Sequence, residues 1–286
     1  MSKAAKRHLY QDASDPHKEL LRMFNVVGRR HAMHEVFSDF VEMSALSISN
    51  AVDRHHFDTR EERYLAIVKK YSRDELTLFS EMLGALTLVF EERVQKLVPG
   101  GDGLADILGQ TFMMLELGNS STGQFFTPYS VSRAMACMTI GDGRPHIERD
   151  GFVTVLEPAC GAGGMVIACA DALHDAGWNY QHAMHATCID IDPRCVHMTY
   201  LQMALLHIPG IVVHGNGLTG ESWSSWFTPA HVLSGWGRKL RRHRDDGEDV
   251  KDVAPALDVD AEPCPMISAP STVMKVFVPD DQLALF

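Results

Sequence analysis

The 286-residue sequence lacks several features that would place it in a specialised class. No apolar run approaches membrane-spanning length, and no apolar segment follows the basic residues of the first eight positions. We therefore expect a cytoplasmic protein without membrane contacts. None of the six cysteines forms a Cys-x-x-Cys pair, so they are expected to be reduced, buried, small apolar side chains.

Positive charge is scarce compared with negative charge. The chain has 26 Lys and Arg against 37 Asp and Glu, which gives a formal net charge of −11. That balance argues against a generally basic nucleic-acid coat protein, but it permits a local basic groove. The pairs His31-x-x-His34 and His182-x-x-His185 have helical spacing. No thiolate or acid completes either pair, so we expect no metal site.

A glycine turn between a strand and a helix is the feature around which the chain is organised. Residues 153–157 form an apolar run that ends in an acid, and Cys160–Gly164 contains three glycines ahead of an apolar helix. Such a turn lets a ligand lie against bare backbone, where the helix N-terminus supplies free N–H groups. The alternative is a turn that serves only close packing.

Two further strand ends carry polar side chains that suit an adenosine ligand. The order strand–helix–strand–helix–strand predicts a parallel sheet with the ligand outside the carboxyl ends of its strands. Asp190 can accept hydrogen bonds from ribose hydroxyls, and Asn216 can meet an adenine edge. The 33-residue separation of Glu157 from Asp190, without a Gly-x-Gly-x-x-Gly motif, disfavours NAD. The alternatives are a helix cap at Asp190 and a turn residue at Asn216.

The composition divides the chain into four segments. A polar, flexible N-terminus is predicted for residues 1–16, and a helical domain with apolar residues at helix spacing is predicted for residues 17–118. Residues 119–236 form the predicted α/β domain. Residues 237–286 open with a basic run and continue with acids, prolines and alanines, so they are predicted to be a disordered tail.

Four motifs occur in the order seen in adenine-specific DNA methyltransferases. These are Gly123-Gln-Phe-Phe-Thr-Pro128, Glu157–Met165, Ile189–Pro193 and His214–Leu218. The stretch 100–220 thereby resembles the modification subunits of type I restriction systems, although Phe126 stands where tyrosine is usual. The resemblance implies a Rossmann-like methyltransferase sheet after a helical domain, S-adenosylmethionine as cofactor, and DNA as substrate.

The resemblance also implies a role for each motif residue. Phe125 and Thr127 would border the methionine end of the cofactor. Glu157 and Gly161, within the turn that includes Cys160 and Gly163, would hold its amino-acid part. Asp190 would bind the ribose and Asn216 the adenine.

The catalytic tetrapeptide of this family, Asn/Asp-Pro-Pro-Tyr/Phe, is absent from the sequence. In the family it follows a fourth strand, accepts hydrogen bonds from a flipped-out adenine and stacks on that base. Thr228, Pro229 and His231 have a polar group, a proline and a flat ring in the same order, so they are candidate catalytic residues. The alternative is a capped turn. No fourth strand is evident before them, so the predicted sheet is short of a strand.

Two segments near the C-terminus suggest partners. The basic run at Arg238–Arg244 either meets DNA phosphates or is a solvated segment balanced by the following acids. The last five residues resemble the peptide Gln-Leu-x-Leu-Phe that binds the bacterial replication sliding clamp. A disordered linker would present these anchors to an apolar groove on the clamp. The alternative is a strand or tail docked on its own domain. The anchors are Gln282, Leu283, Leu285 and Phe286.

The sequence as a whole favours an S-adenosylmethionine-dependent methyltransferase that acts on the exocyclic amine of adenine in DNA, in the context of restriction and modification. A separate specificity or partner subunit is compatible with the resemblance. The alternative is an inactive family member that binds DNA or cofactor as a regulator or anti-restriction factor. A third class, a methyltransferase for a small molecule or protein, would not need the missing tetrapeptide.

Overall fold

The computed structural model describes residues 11–98, 103–117, 126–247 and 283–284. The helices are α1 (Asp15–Val27), α2 (Met33–Val52), α3 (Phe57–Val68), α4 (Arg73–Gln95), α5 (Ile107–Met114), α6 (Tyr129–Ile140), α7 (Arg144–Asp150), α8 (Gly164–Asp175), α9 (Tyr180–Ala183), α10 (Pro193–Leu205), α11 (Pro229–Leu233) and α12 (Trp236–Gly247). The strands are β1 (Val153–Glu157), β2 (Met184–Asp190), β3 (Gly210–Asn216), β4 (Glu221–Phe227) and β5 (Leu283–Ala284).

The predicted helical region consists of α1 to α5. Their apolar residues recur at helix spacing and are buried, with Phe24 stacked on Phe37 at 5.6 Å between ring centroids. Ser72 begins α4 with a capping box, in which its side chain and that of Glu75 each bond the other's backbone N–H. The boundary predicted at residue 118 lies in a stretch outside the described residues.

A mixed sheet, parallel except for one edge strand, forms the α/β half of the molecule. The strand order is β4-β3-β2-β1-β5, and β1, β2 and β3 are parallel neighbours connected through α8 and α10. The predicted fold class is thus confirmed. The N-cap of α10 is Asp192, whose carboxylate accepts a hydrogen bond from the backbone of Arg194, so the alternative of a helix cap at Asp190 is not what the structure shows.

A fourth strand precedes Thr228, which the sequence analysis did not predict. Strand β4 pairs antiparallel with the outer edge of β3, with Ile211 opposite Phe227. Its first four residues, from Glu221, are exposed. An edge strand that is solvated along most of its length shows little apolar pattern, which explains why it was missed.

Two helices replace segments that were predicted to be irregular. Two glycines and a proline within residues 141–150 predict a turn-rich link, but α7 forms there with Pro145 in its first turn, a position that suits proline. The predicted disordered tail began at residue 237, whereas α12 extends to Gly247. Trp236 explains this difference because its side chain is 2% exposed and fixes the helix to the sheet.

One hydrophobic cluster runs through the helical and the α/β parts, from α1 to Trp226 in β4. Arg60 of α3 also connects the two parts. Its guanidinium donates to Ser49 and Asp53 in the helical region and to the carbonyl of Ser225 in β4, and it lies 4.3 Å from the Trp226 ring centroid. The helical region is therefore packed directly against the sheet.

The outer edge of β1 pairs in parallel with β5, through Val155 opposite Leu283 and Leu156 opposite Ala284. The other predicted clamp anchors, Gln282, Leu285 and Phe286, lie outside the described residues. The same holds for residues 273–278, a mostly apolar run whose sequence could form a late strand. Within the ranges that the structure covers, no helix is both long and apolar enough to cross a membrane.

Candidate functional site

The glycine turn after β1 has a backbone that only glycine adopts easily. Gly161 and Gly163 have φ angles of +55° and +92°. A Cβ at Gly161 would lie 3.1 Å from the ring of Phe126, and one at Gly163 would lie 3.1 Å from the hydroxyl of Thr199. The turn is thus tightly enclosed, and helix α8 begins directly after it at Gly164.

Asp190 at the end of β2 holds this turn. One carboxylate oxygen accepts from the backbone N–H of Gly161 at 2.8 Å, and the other accepts from that of Asp192 at 2.9 Å. Burial raises the pKa of Asp190, and the backbone donors oppose that shift. A carboxylate has about four acceptor positions, and the backbone N–H groups of Gly161, Asp192 and Ile191 do not use all of them, so at least one remains for a ligand hydroxyl.

Glu157 at the end of β1 has an acceptor with no partner. Its Oε1 accepts from the backbone of Ala159 at 3.2 Å, whereas its Oε2 is buried and makes no hydrogen bond within the described residues. Burial is the main cause that raises the pKa of Glu157 to about 7, and the nearby Asp190 raises it further. A buried acceptor without a partner is costly, so this oxygen suits a donor on a ligand.

Two side chains of helix α10 donate hydrogen bonds to backbone carbonyls of the glycine turn. Thr199 donates its hydroxyl to the carbonyl of Gly161 at 3.0 Å, and Gln202 donates its amide to the carbonyl of Ala162 at 2.6 Å. The same amide group donates to Asp106, which caps α5. Both side chains are fully buried, and they fix the turn relative to the helical region.

Cys160 contributes through its backbone. Its N–H donates to the carbonyl of Ile189 at 2.9 Å and so joins the turn to β2. Its thiol is buried and lies 3.4 Å from the hydroxyl oxygen of Thr199, and burial raises its pKa well above the usual value. This thiol is therefore protonated and acts as a packing group.

The first predicted motif, at residues 123–128, lies only partly in the described residues. Phe125 is outside them. Phe126 is half-buried, and its ring packs against that of Phe112 at 5.1 Å between centroids, above Gly161. Thr127 is exposed beside it, just before α6. The motif thus reaches the glycine turn through Phe126.

Asn216 ends β3 and organises the hairpin to β4. Its side-chain oxygen accepts from the backbone N–H groups of Leu218 and Thr219, at 3.0 and 3.3 Å. The oxygen is thus used by the turn, which leaves the side-chain NH₂ as the group available to a ligand. Gly217 lies so close to the backbone of Pro158 that a side chain would not fit.

Ile191 is a site residue that the sequence analysis missed. It follows Asp190 directly and is 60% exposed, which is unusual for a large apolar side chain that continues a buried strand. Its carbonyl contacts the ring of His214 at 3.2 Å. The sequence contained a signal for this residue, namely an apolar side chain directly after a strand-end acid. Such a side chain can pack against the base of a nucleoside whose ribose is bound by the acid.

The predicted catalytic residues lie at the opposite edge of the sheet. Because β4 is antiparallel, Thr228 emerges beside the beginning of β3, where its hydroxyl donates to the carbonyl of Ile208 and accepts from the N–H of Gly210, both at 3.0 Å. Pro229 starts α11 there. The structure therefore does not bring Thr228, Pro229 and His231 together with Asp190, and the capped-turn alternative describes them.

His231 forms a buried pair with His185 at that same edge, with 2.8 Å between Nδ1 and Nε2. Burial lowers the pKa of His231 to about 4 and lowers that of His185 well below its usual value. Both rings are neutral near pH 7, so one donates to the other as a packing contact. Trp236 packs against His185 at 5.3 Å between centroids.

Comparison with known proteins agrees with the strand-end geometry. Residues 101–235 match the family described as N-6 DNA methylase. The predicted resemblance over residues 100–220 is confirmed, and the predicted cofactor, S-adenosylmethionine, is the one that this methylase family implies. No curated protein matches the chain.

One solved structure resembles this chain at low sequence identity. It is described as a class I S-adenosylmethionine-dependent methyltransferase from Listeria monocytogenes. The sequence identity is 15% and the TM-score is 0.38, over 72% of this chain. The match covers 55% of that protein, so this chain spans about half of its length.

The residues present in the methylase region fit S-adenosylmethionine. The cofactor carries an ammonium group, two ribose hydroxyls and an adenine ring. The partnerless oxygen of Glu157 suits the ammonium, the spare acceptor capacity of Asp190 suits a ribose hydroxyl, and Ile191 offers an apolar surface for the ring. The fit rests on the chemistry of these groups and on the enclosed glycine turn.

Proposed function

We propose that this protein is an S-adenosylmethionine-dependent DNA methyltransferase that acts on the exocyclic amine of adenine, as part of a modification system in the cytoplasm. The observation that carries the proposal is the juxtaposition of Glu157 and Asp190 at neighbouring strand ends around the glycine turn. The match of residues 101–235 to N-6 DNA methylases supports adenine as the acceptor base.

Each cofactor contact follows from the groups available. Glu157 binds the ammonium, and Asp190 binds the ribose while it retains its bonds to the turn. The adenine stacks on Ile191 and receives a hydrogen bond from the NH₂ of Asn216. By the family resemblance, Phe125 and Thr127 would border the methionine end. When bound, the cofactor supplies an activated methyl group, and the protein's task is to hold it still and exclude water.

The adenine that accepts the methyl group needs hydrogen-bond acceptors for its exocyclic amine, and this sequence lacks the tetrapeptide that supplies them in the family. An exocyclic amine reacts when acceptor groups hold it beside the methyl donor, and the Asn/Asp-Pro-Pro-aromatic tetrapeptide that does so is missing. We therefore propose that methylation requires a second subunit, which supplies the base-binding groups next to the cofactor edge.

The test is modified-base sequencing of the genome of a methylation-free bacterial host that expresses this protein, once alone and once together with the genes of its own locus. A genome presents every short sequence at once, so the unknown recognition site is no obstacle. 6-Methyladenine in a defined context, absent with Asp190→Ala, supports the proposal. Cofactor binding without any methylation, alone or with genes from the same locus, would favour the alternative of a binding module or anti-restriction factor.

The C-terminal peptide supports a proposed partner, the replication sliding clamp. Gln282, Leu283, Leu285 and Phe286 would insert into its apolar groove. In the structure Leu283 pairs with β1, and one backbone cannot pair there and extend into a groove at the same time. Deletion of residues 282–286 is expected to abolish capture by the clamp. Undiminished capture of the shortened protein would refute this partner.

A further inference from the structure

Helix α12 presents a basic face on the outside of the molecule. Arg238, Arg241 and Arg242 are exposed, and none of them forms an ion pair within the part of the chain that the structure describes. Side chains three and four residues apart share one face of a helix, about 5–6 Å from each other. The chain has a net charge of −11, so the charge of this face is opposite in sign to that of the chain as a whole.

Two open clefts flank this helix, each with a volume of about 410 Å³. One is lined by Arg238 and Arg242 together with Arg149, and the other is lined by Arg238 and Arg241 together with Arg54. Arginines therefore line both clefts, and α12 forms the ridge between them.

The acids in the two clefts already have cationic partners. Asp150 is bonded to Arg149 at 2.7 Å, and His243 lies 3.9 Å from it. Asp53, in the other cleft, is bonded to the buried Arg60. Since these carboxylates are compensated internally, they leave the arginines of α12 available to an external anion.

The ridge is held rigidly against the sheet. The ammonium of Lys239 lies 4.1 Å from the ring centroid of Trp236 and 4.5 Å from that of Phe152, and it donates to the carbonyl of His182 at 3.2 Å. The two rings contact each other at 5.1 Å between centroids. A fixed helix lowers the entropy cost of ordering its exposed arginines on a ligand.

The chemistry of the ridge matches a row of phosphates. Guanidinium groups bind phosphate oxygens in a bidentate manner, and three of them along a ridge suit a repeating polyanion better than one small anion. The ridge stands at the beginning of β1 and β2, whereas the cofactor residues stand at their ends. Seven residues of β2 separate the two edges, which is about 20 Å.

We infer that the ridge of α12, with Arg238, Arg241 and Arg242, binds the phosphate backbone of double-stranded DNA at a site separate from the cofactor edge. The choice of DNA as the polyanion rests on the proposed function. The site anchors DNA without reading its sequence, because phosphate contacts carry no base information. Occupation of the site does not require S-adenosylmethionine.

The experiment measures the affinity of the full-length protein for a 30-base-pair duplex of mixed sequence, by fluorescence anisotropy from 50 to 200 mM salt. Three phosphate contacts contribute about 2.7 to the slope of log affinity against log salt, which is about 40-fold over this range. The triple variant Arg238→Gln, Arg241→Gln, Arg242→Gln is expected to lose that component and to bind at least 10-fold more weakly at 100 mM salt.

The matched control removes three other exposed cations, through Arg29→Gln, Arg30→Gln and Lys69→Gln. It is expected to retain the wild-type slope. Equal losses in both variants would show an effect of overall charge and would overturn the inference, as would wild-type protein that fails to bind the duplex. Vesicles with 30% phosphatidylserine are the second probe, and binding to them without binding to DNA would also overturn it.

Cofactor titration separates this inference from the proposed function. The triple variant is expected to bind S-adenosylmethionine with wild-type affinity, and Asp190→Ala is expected to bind DNA with the wild-type salt slope. If the wild-type protein does not bind S-adenosylmethionine, but its affinity for DNA shows the expected dependence on salt, the proposed function is refuted and the inferred DNA site is still supported.

Discussion

The two edges of the sheet carry opposite kinds of polarity. At the carboxyl edge, the buried Glu157 and the half-buried Asp190 accept from backbone N–H groups, and one oxygen of Glu157 has no partner among the described residues. At the amino edge, the histidine pair is buried and satisfied, while the arginines of α12 stand exposed. The first arrangement suits a small ligand with a cationic group, and the second suits an extended polyanion.

Removal of the carboxylate at the centre of the carboxyl edge should have the largest effect. Asp190→Ala removes two charge-assisted hydrogen bonds that hold the turn and the acceptors for the ribose, at about 1.5–3 kcal/mol for each bond to a charged group. We expect at least a 100-fold loss of S-adenosylmethionine affinity by titration calorimetry. Asp192→Asn, which preserves the helix cap, is the control and should lose little. Comparable losses in both variants would contradict the role given to Asp190.

The protonation of Glu157 should make cofactor binding depend on pH. Only the carboxylate attracts an ammonium, so affinity should fall about 10-fold for each pH unit below the pKa of about 7. The raised pKa has the opposite effect on the stability of the cofactor-free protein. The folded state holds the proton more tightly than the unfolded state, so the free energy of unfolding falls as the pH rises from the usual pKa near 4.5 to the folded pKa of about 7. Calorimetry between pH 5 and 8 measures the first effect.

Two variants sharpen this pH test. Glu157→Gln should flatten the profile below pH 7 and lower the affinity at pH 8, because the amide carries no charge. Glu221→Gln, at an exposed position in β4, should keep the wild-type profile. A profile that persists in Glu157→Gln would assign the pH dependence to another group.

The side chain of Gln202, which bonds to the glycine turn, should contribute more to the stability of the protein than to cofactor binding. Gln202→Leu leaves the carbonyl of Ala162 and the N–H of Leu108 without their partner, at an expected cost of about 2–4 kcal/mol in unfolding free energy. Urea denaturation measures this cost. The exposed change Gln95→Leu should stay within about 0.5 kcal/mol, and equal costs for both would rule out the buried network.

The smallest effect is expected at the amino edge, at the residue that resembled part of a catalytic motif. Thr228→Ala removes a helix cap and bonds to Ile208 and Gly210, so it should cost about 1–2 kcal/mol of stability. Cofactor affinity should remain unchanged. A 10-fold loss of cofactor affinity would show that the amino and carboxyl edges of the sheet are coupled, and it would contradict their separate roles.

Sequence patterns predicted the arrangement of the strand ends at the carboxyl edge because its signals are local, whereas the ligand roles of these residues stay predictions. A β-branched run, three glycines and strand-end acids each specify a backbone or a ligand group, so Glu157, Gly161 and Asp190 were found together. The amino edge depends on contacts that sequence spacing does not encode. The reversal of β4 sends Thr228 to the wrong side of the sheet for catalysis, and the mostly polar residues of that strand gave no pattern that predicted it.

Sequence analysis also could not predict the contacts of buried polar residues whose partners lie far away in the sequence. Gln202 bonds to Asp106 from 96 positions away, and Arg60 bonds to Ser225 from 165 positions away. Neither residue type is a typical core residue, so periodicity cannot place it. The stretch after Gly237 was read as disordered from its charge alone, because the anchoring contacts of Trp236 and Lys239 are made with Phe152, far away in the sequence.

The bond from Arg60 to β4 limits how such proteins can exchange parts during evolution. A recombination event in the stretch between residues 117 and 126 would look harmless, since it separates the helical region from the sheet. It would, however, pair one parent's Arg60 with the other parent's Ser225 and Trp226, and one parent's Asp106 with the other's Gln202. Viable hybrids are therefore expected to inherit both halves from one lineage, or to change these partners together.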